Sequence, residues 1–232
     1  MKNTIIKAIY QIRARLMRWL KPKKSYFLAA KNTKPLSRKF GFDRGTPIDR
    51  FWIESFLKEN ENHIKGVCLE IGDSRYTREF GAKIVRSDIL DINKNNKMAN
   101  LYGDLRNLRN LIADNTYDCL ILTHVLGMID NYEAAIAECK RIIKPGGILL
   151  VTTACISPVH EIDYNYFRFT VASARYVFGK YFRKNNLEVK SFGNVLTGQC
   201  FWVGIAREEL TPKELEYNDP HYPCIITVRA KK

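Results

Sequence analysis

The apolar positions of this chain change period along its length, and each period predicts a different element. Over residues 2–20 they recur with helical spacing: Ile5, Ile9, Ile12, Leu16 and Leu20 share one face. Ile6, Met17 and Trp19 widen that face, while Lys2, Lys7, Arg13, Arg15 and Arg18 lie mostly elsewhere. Lys21-Pro22-Lys23-Lys24 ends the helix. Residues 25–46 are polar and basic and read as a linker. Pro47 to Leu57 then reads as a second helix, with Pro in its first turn and positions 48, 52, 53, 56 and 57 turned to a core. The organisation expected is a basic amphipathic helix over 1–24, a basic linker over 25–46 and one main domain over 47–232.

From residue 67 the pattern alternates between short β-type runs and helical stretches. Strands are expected at Val67 to Ile71, Lys83 to Ser87 (ending at Asp88), Ala99 to Tyr102 (ending at Asp104) and Tyr117 to Thr123. Further strands are expected at Gly147 to Thr153, Leu187 to Phe192 and Cys224 to Ala230. Residues 75–81 read as a short helix or turn, Tyr132 to Ile143 and Thr170 to Phe182 as helices, and Asn194 to Glu209 as partly helical. Strands alternating with helices imply a parallel sheet with right-handed crossovers.

Charge changes the picture at one end. The net charge is +14, yet residues 1–42 hold twelve Lys and Arg and no Asp or Glu. The remaining 26 basic residues nearly balance 24 acidic ones, so the positive charge is segregated from the main domain. That placement argues against a nucleic-acid substrate, which calls for basic residues around the cleft. An apolar face with a Trp and basic flanks suits an anionic membrane surface, here the inner face reached from the cytoplasm. Packing on its own domain, or on a second copy in a homo-oligomer, is the alternative. The longest apolar run, Gly146 to Val151, is too short to span a bilayer, and basic residues interrupt the early apolar positions of any signal peptide. The six cysteines are isolated, without a C-x-x-C pair or a nearby His, and read as buried reduced thiols. No Asp/Asn set suggests a metal.

The stretch from Val67 to Thr77 carries the chemistry. An apolar strand ends in Glu70, and Gly72 and Asp73 follow at once. Such a turn lies at the carboxyl end of a strand, where nucleotide-like ligands bind. A single glycine does not make the G-x-G-x-x-G cradle for a pyrophosphate. Carboxylates around a glycine-poor turn suit ribose hydroxyls and an ammonium group without a phosphate, and S-adenosylmethionine has those groups.

Leu69-Glu70-Ile71-Gly72, Gly103-Asp104, Tyr117 to Leu122 and Lys144-Pro145-Gly146-Gly147 follow in order. Together they resemble the class I S-adenosylmethionine-dependent methyltransferases. The resemblance covers about residues 45–230 and implies a Rossmann-like, doubly wound α/β sheet of seven strands, mostly parallel with an antiparallel last strand. Gly45 to Arg50, Tyr166 to Thr170, Gly193 to Val195 and Glu209 to Leu215 are similar to a bacterial methyltransferase group found with enzymes of surface-polysaccharide biosynthesis. That implies O-methylation of a sugar on a glycan or lipid-linked precursor. A small or lipid molecule such as a quinone precursor is the rival acceptor. A partner protein that binds the cofactor without transferring a methyl group is another reading.

On this resemblance Glu70, Gly72 and Asp73 line the cofactor's amino acid portion, and Asp88 takes the ribose diol, with Asp91 as the alternative one turn on. Asp104 accepts from the adenine amino group, Leu105 lies against the ring, and Thr123 borders the methyl group. His124 is expected as the base that takes the acceptor's proton, or as a wall of the cofactor pocket. Asp163, His160, Tyr164 and Tyr166 are the other candidates near the acceptor. Arg168 either holds a sugar or phosphate or pairs with Asp163 or Asp49. The loop after the fourth strand, Thr123-His124-Val125-Leu126, lacks the Asn/Asp-Pro-Pro-Tyr motif of nucleobase-amine methylation.

Overall fold

The computed structural model describes residues 33–159 and 162–232. The helix expected over 1–24, most of the linker's first part and His160 lie outside those residues. The chain divides into two compact units. Among the described residues, one joins those from 33 to Trp52 with Ile156–Pro158 and Phe192–Ile225; the other comprises Ile53–Cys155, those of Val159–Ser191 and Ile226–Lys232.

The second unit is built on a seven-stranded sheet. Its strands are β1 (Gly66–Ile71), β2 (Ile84–Asp91), β3 (Leu101–Tyr102), β4 (Tyr117–Thr123), β5 (Ile143–Ala154), β6 (Leu187–Phe192) and β7 (Ile225–Lys231). They lie in the order β3-β2-β1-β4-β5-β7-β6. The pairs β1–β2, β1–β4, β2–β3 and β4–β5 are parallel, and one strand, the last, runs antiparallel. This is the Rossmann-like architecture that the family resemblance implied, and the parallel pairs are those the alternating pattern predicts. The order reverses between β1 and β4, and a crevice forms outside the carboxyl ends of the strands at such a reversal.

Burial explains the strand compositions. Leu69, Leu120, Leu122, Leu149 and Val151 join one core with Ile136, Ile142, Val177 and Phe178 from the helices. Strands covered on both faces read as continuous apolar runs, as β4 does from Cys119 to Leu122. The helices are α1 (Asp49–Glu59), α2 (Arg75–Phe80), α3 (Tyr132–Ile142), α4 (Val171–Gly179), α5 (Val195–Val203) and α6 (Pro212–Glu216). Asn131 caps α3 by accepting from Ala134 N at 3.1 Å, and Thr170 with Ser173 forms a capping box at α4.

β3 is shorter than expected, beginning at Leu101 rather than Ala99, and two other strand limits differ by more than a residue. β5 begins at Ile143 rather than Gly147, because Lys144 to Gly147 form an irregularity between the pairings Tyr117↔Ile143 and Cys119↔Ile148. More consequentially, β2 runs on to Asp91, and Asp88 sits within the strand opposite Leu69. The sheet accommodates a buried carboxylate there because Tyr117 Oη (2.9 Å), Arg86 Nε (3.0 Å) and Asn100 Nδ2 (3.0 Å) all donate to it.

In the first unit, α5 is capped by Asn194, which accepts from Thr197 N at 3.0 Å and donates to the carbonyls of Glu214 and Tyr217. Trp52 Nε1 donates to Leu215 O at 3.2 Å. Gly204 ends α5 in the left-handed region at φ 75°, and a Cβ there would stand 2.6 Å from Ser37 O. Leu36 N and Ser37 N donate to Val203 O, and Arg44 forms a bidentate pair with Glu209 at 2.8 and 2.6 Å.

Candidate functional site

A cavity of about 610 Å³ opens at the carboxyl edge of the sheet, lined entirely by residues of the second unit. That volume is within the usual range for small-molecule sites. Four short segments build its wall: the end of β1, the end of β2, the loop after β3 and the loop after β4. Tyr164 and Tyr166 complete it.

At the end of β1, Ile71 lines the cavity and Gly72 turns the chain at φ 82°. A Cβ on Gly72 would meet no atom within 4 Å, so the space over this turn is open to a ligand. Glu70 is only 2% exposed. Its carboxylate accepts from Tyr76 N (3.1 Å), Thr77 N (2.8 Å) and Thr77 Oγ1 (2.8 Å). Glu70 therefore clamps the first turn of α2 to the strand, and its oxygens are turned to the helix rather than into the cavity. Burial raises its pKa, and the three hydrogen bonds only partly oppose that shift. Asp73 accepts from Arg75 N at 2.8 Å, which shapes the turn, and it too lies outside the lining.

The end of β2 corrects the ribose expectation. Asp88 is 5% exposed, engaged by three donors and absent from the cavity wall. Burial and the Asp88 carboxylate together raise the pKa of Tyr117, which keeps the phenol protonated as a donor. Asp91, three residues on, lines the cavity, followed by the exposed Ile92. Asn96 Nδ2 donates to Asp91 Oδ2 (2.7 Å) and to Gly72 O (2.6 Å), which ties the β2 loop to the Gly72 turn. Asn93 N donates to Asp91 Oδ1 at 2.8 Å. A carboxylate has about four acceptor positions, so two remain for a ligand.

After β3, Gly103, Asp104, Leu105 and Arg106 all line the cavity. Arg106 grips Asp104 with Nε at 2.9–3.0 Å and Nη2 at 2.6 Å, and its Nη1 reaches Asp130 Oδ1 at 2.6 Å. This pairing holds the carboxyls of Asp104 and Asp130 below the usual range and raises Arg106 further. The sequence reading named Asp104 and Leu105 but missed Arg106 and Asp130, which only the fold brings together.

After β4, Thr123 pairs in register with Thr152 and stays in the sheet, outside the lining. His124 lines the cavity in the left-handed region, φ 58°, while its N donates to Thr152 O at 2.8 Å. A non-glycine residue held there costs on the order of 1 kcal/mol, and such outliers cluster at functional sites. Val125, Met128 and Ile129 continue an apolar wall.

Gly127 links this loop to the tyrosines: its carbonyl accepts from Tyr166 N (2.9 Å) and Phe167 N (3.1 Å). A Cβ on Gly127 would stand 2.8 Å from Phe167 O, so only glycine permits that approach. Tyr132 packs edge-on against Phe167 and Phe169, which fixes the strap that carries Tyr166. Asp163 lies on the short turn Ile162–Tyr164, exposed and outside the lining. Arg168 also lies outside it; the guanidinium donates to the Asn165 side chain and to Phe167 O. Among the described residues no His, Cys, Asp and Glu group could hold a metal, and no helix is long and apolar enough to cross a membrane.

These groups fit S-adenosylmethionine. Open space over Gly72 admits the chain of an amino acid, Asp91 offers acceptors for a diol, and Ile92 with Leu105 offers apolar surface for a planar base. Residues 70–151 match the model of a methyltransferase domain. Over 91 residues the chain is 34% identical to a demethylmenaquinone methyltransferase of Staphylococcus haemolyticus, covering 38% of this chain and 36% of that protein. It is 32% identical over 62 residues to the ubiquinone/menaquinone biosynthesis C-methyltransferase UbiE of Haemophilus ducreyi, covering 25% and 24%. The chain thus spans about a third or less of the length of these curated relatives. A methyltransferase from Archaeoglobus fulgidus shares the fold at TM-score 0.55 and 15% identity, covering 84% of this chain and all of that one. One from Mesorhizobium loti does so at TM-score 0.52 and 14% identity, covering 80% and 98%. The fold is thus shared with S-adenosylmethionine-dependent methyltransferases, and the matched segment is a methyltransferase domain.

Proposed function

We propose that this chain transfers a methyl group from S-adenosylmethionine to a small or lipid-soluble molecule with an aromatic ring, of the quinone-precursor kind. One observation carries the choice of acceptor: the wall beyond the cofactor residues is Val125, Met128, Ile129, Tyr164 and Tyr166, with His124 as its basic group. An apolar wall with a few polar groups favours a flat apolar molecule. The local likeness to quinone methyltransferases supports the same reading.

The cofactor supplies an electrophilic methyl group on a sulfonium. This chain's residues supply position and proton transfer. Asp91 accepts from the ribose hydroxyls, while Asn96 keeps that carboxylate in register with the Gly72 turn. Tyr164 and Tyr166 hold the acceptor ring and exclude water. The His124 imidazole, which lines the cavity, takes the acceptor's proton as the new bond forms.

A sugar of a surface glycan or lipid-linked precursor is the second reading. It is favoured by the half-exposed rings of Tyr164 and Tyr166, flat surfaces on which a sugar stacks. With a lipid-soluble or lipid-linked acceptor, the same reading puts the enzyme's work at the inner face of the membrane, as a peripheral protein. The test is transfer of a labelled methyl group from S-adenosylmethionine to a lipid extract containing demethylated quinols and, in parallel, to a lipid-linked glycan fraction. Label in the quinol fraction is the expected result. Label only in the glycan fraction overturns the aromatic acceptor, and tight cofactor binding without label in any fraction overturns transfer itself.

A further inference from the structure

We infer that residues 34–42 together with Trp202 form a face that docks on an anionic lipid bilayer. The inference extends the membrane placement above but stands on separate observations, all within the first unit.

Three large apolar side chains stand out from this unit where a monomer would gain by burying them. Leu36 is 41% exposed, Phe42 51% and Trp202 52%. On α5, Cys200 and Phe201 face the core while Trp202 points outward, sharing a face with the exposed Val195 two turns earlier. Leu36 is brought beside the end of α5 by its own backbone, since Leu36 N donates to Val203 O at 2.8 Å. Gly41 packs on the same point, where a Cβ would stand 3.2 Å from Gly204 O.

Hydrogen bonds within the loop hold the turn that presents these side chains. Ser37 is buried, and its hydroxyl accepts from Lys39 N (3.0 Å) and Gly41 N (3.1 Å) while donating to Asp43. Phe42 N closes a turn onto Lys39 O at 2.9 Å. A preformed turn loses little entropy on docking.

Charge selects the partner. Lys34, Arg38 and Lys39 are exposed on this turn, and none is in an ion pair with a described residue. Of the acids on or packed against this turn, Glu209 pairs with Arg44 and Glu208 with Arg207, while Asp43 accepts from the Ser37 hydroxyl and keeps its charge, so three cations stand against one carboxylate. A Trp and a Phe among cations in excess is the composition that inserts at a headgroup boundary. The sequence that precedes this turn has no Asp or Glu before Asp43. A protein partner would be expected to meet a mixed-sign rim instead.

The experiment uses the full chain without cofactor, so its failure leaves methyl transfer untouched and the converse also holds. Co-sedimentation is measured with vesicles of phosphatidylcholine alone and with phosphatidylcholine containing phosphatidylglycerol. Binding is expected only to the anionic vesicles and should weaken with salt. Lys34→Gln with Arg38→Gln and Lys39→Gln should lower the partition coefficient by about fivefold per charge removed. Trp202→Ala, at an outward position, should lower it by about tenfold with the melting temperature unchanged. Emission of the full chain should shift to the blue on anionic vesicles, and the shift should shrink in Trp202→Phe. Unchanged partitioning in both variant sets would overturn the proposal and assign any binding to residues 1–24. A dimer that Trp202→Glu dissociates, with no change on vesicles, would overturn it in favour of a second copy.

Discussion

Two carboxylates of one strand, Asp88 and Asp91, have opposite fates, and the contrast separates the interior of this sheet from its edge. Asp88 is buried and accepts from Tyr117, Arg86 and Asn100. Asp91 ends the strand at the cavity, braced by Asn96 and Asn93 but with acceptor positions to spare. Glu70 belongs with Asp88, since it spends both oxygens on the first turn of α2. Asp104 belongs with Asp91, at the mouth of the cavity. Interior carboxylates hold the scaffold that edge carboxylates use, so their removal should damage different properties.

The sharpest way to break this division is to exchange the two aspartates for alanine and compare. Asp91→Ala should weaken cofactor binding by at least about 100-fold, the loss of two charge-assisted hydrogen bonds at roughly 1.5–3 kcal/mol each. Its thermal stability should change little. Asp88→Ala should behave in reverse, costing about 1–3 kcal/mol of stability because three donors lose their acceptor. Once folded, it should bind cofactor within a fewfold of the native chain. Calorimetric titration and chemical unfolding on both variants settle the pair. Equal loss of affinity in the two would mean that the ribose contact does not depend on strand position.

The division was only partly legible in the sequence. Alternation of apolar runs gave the seven strands and the parallel order, because burial on both faces imposes a composition that can be read. The end of β2 was misplaced by three residues, since an acidic residue after Ser87 looks like a strand's end when its partners are distant. Tyr117 lies 29 residues away in sequence, and only pairing through the sheet brings its hydroxyl to Asp88. The apolar pair Ile89-Leu90 before Asp91 was the available signal that the strand continued. Asp104, Leu105, His124, Tyr164 and Tyr166 were named and do line the cavity. Arg106 and Asp130 could not be paired from sequence, because their contact joins two loops that follow different strands.

Next in expected size is the clamp at Glu70. Glu70→Gln keeps the shape but gives one face of the amide to donors that need an acceptor, at Tyr76 N or Thr77 N. Unfolding free energy should fall by about 1–3 kcal/mol at neutral pH. The pH dependence has a fixed sign. Burial raises the Glu70 pKa above its ordinary value of 4.5, so the native state binds this proton more tightly than the unfolded chain. The stability it contributes is fully present below pH 4.5 and is lost as pH rises through the raised value. The difference in stability between the native chain and Glu70→Gln should therefore widen as pH falls across that window. Denaturant titrations at several pH values measure it, and a difference that narrows with acid would mean that the hydrogen bonds to Glu70 outweigh its burial.

The smallest effect should come from Arg106, at the outermost point of the edge. Its guanidinium joins the loop after β3 to the loop after β4 through Asp104 and Asp130, and all three residues line the cavity. The side chains are 34–50% exposed, so water and salt screen the pairing and little stability rests on it. Arg106→Gln should shift the melting temperature by less than about 2 °C, as expected for a surface pair worth well under 1 kcal/mol. The two loops are nevertheless free to part once the guanidinium is gone. Cofactor dissociation should then quicken by a fewfold, and the acceleration should shrink as added salt weakens the same link in the native chain. Stopped-flow dissociation at low and high ionic strength reads both. A dissociation rate that Arg106→Gln leaves unchanged would show that the edge is held by the sheet alone, and that Asp104 and Asp130 gain nothing at the cavity from being joined.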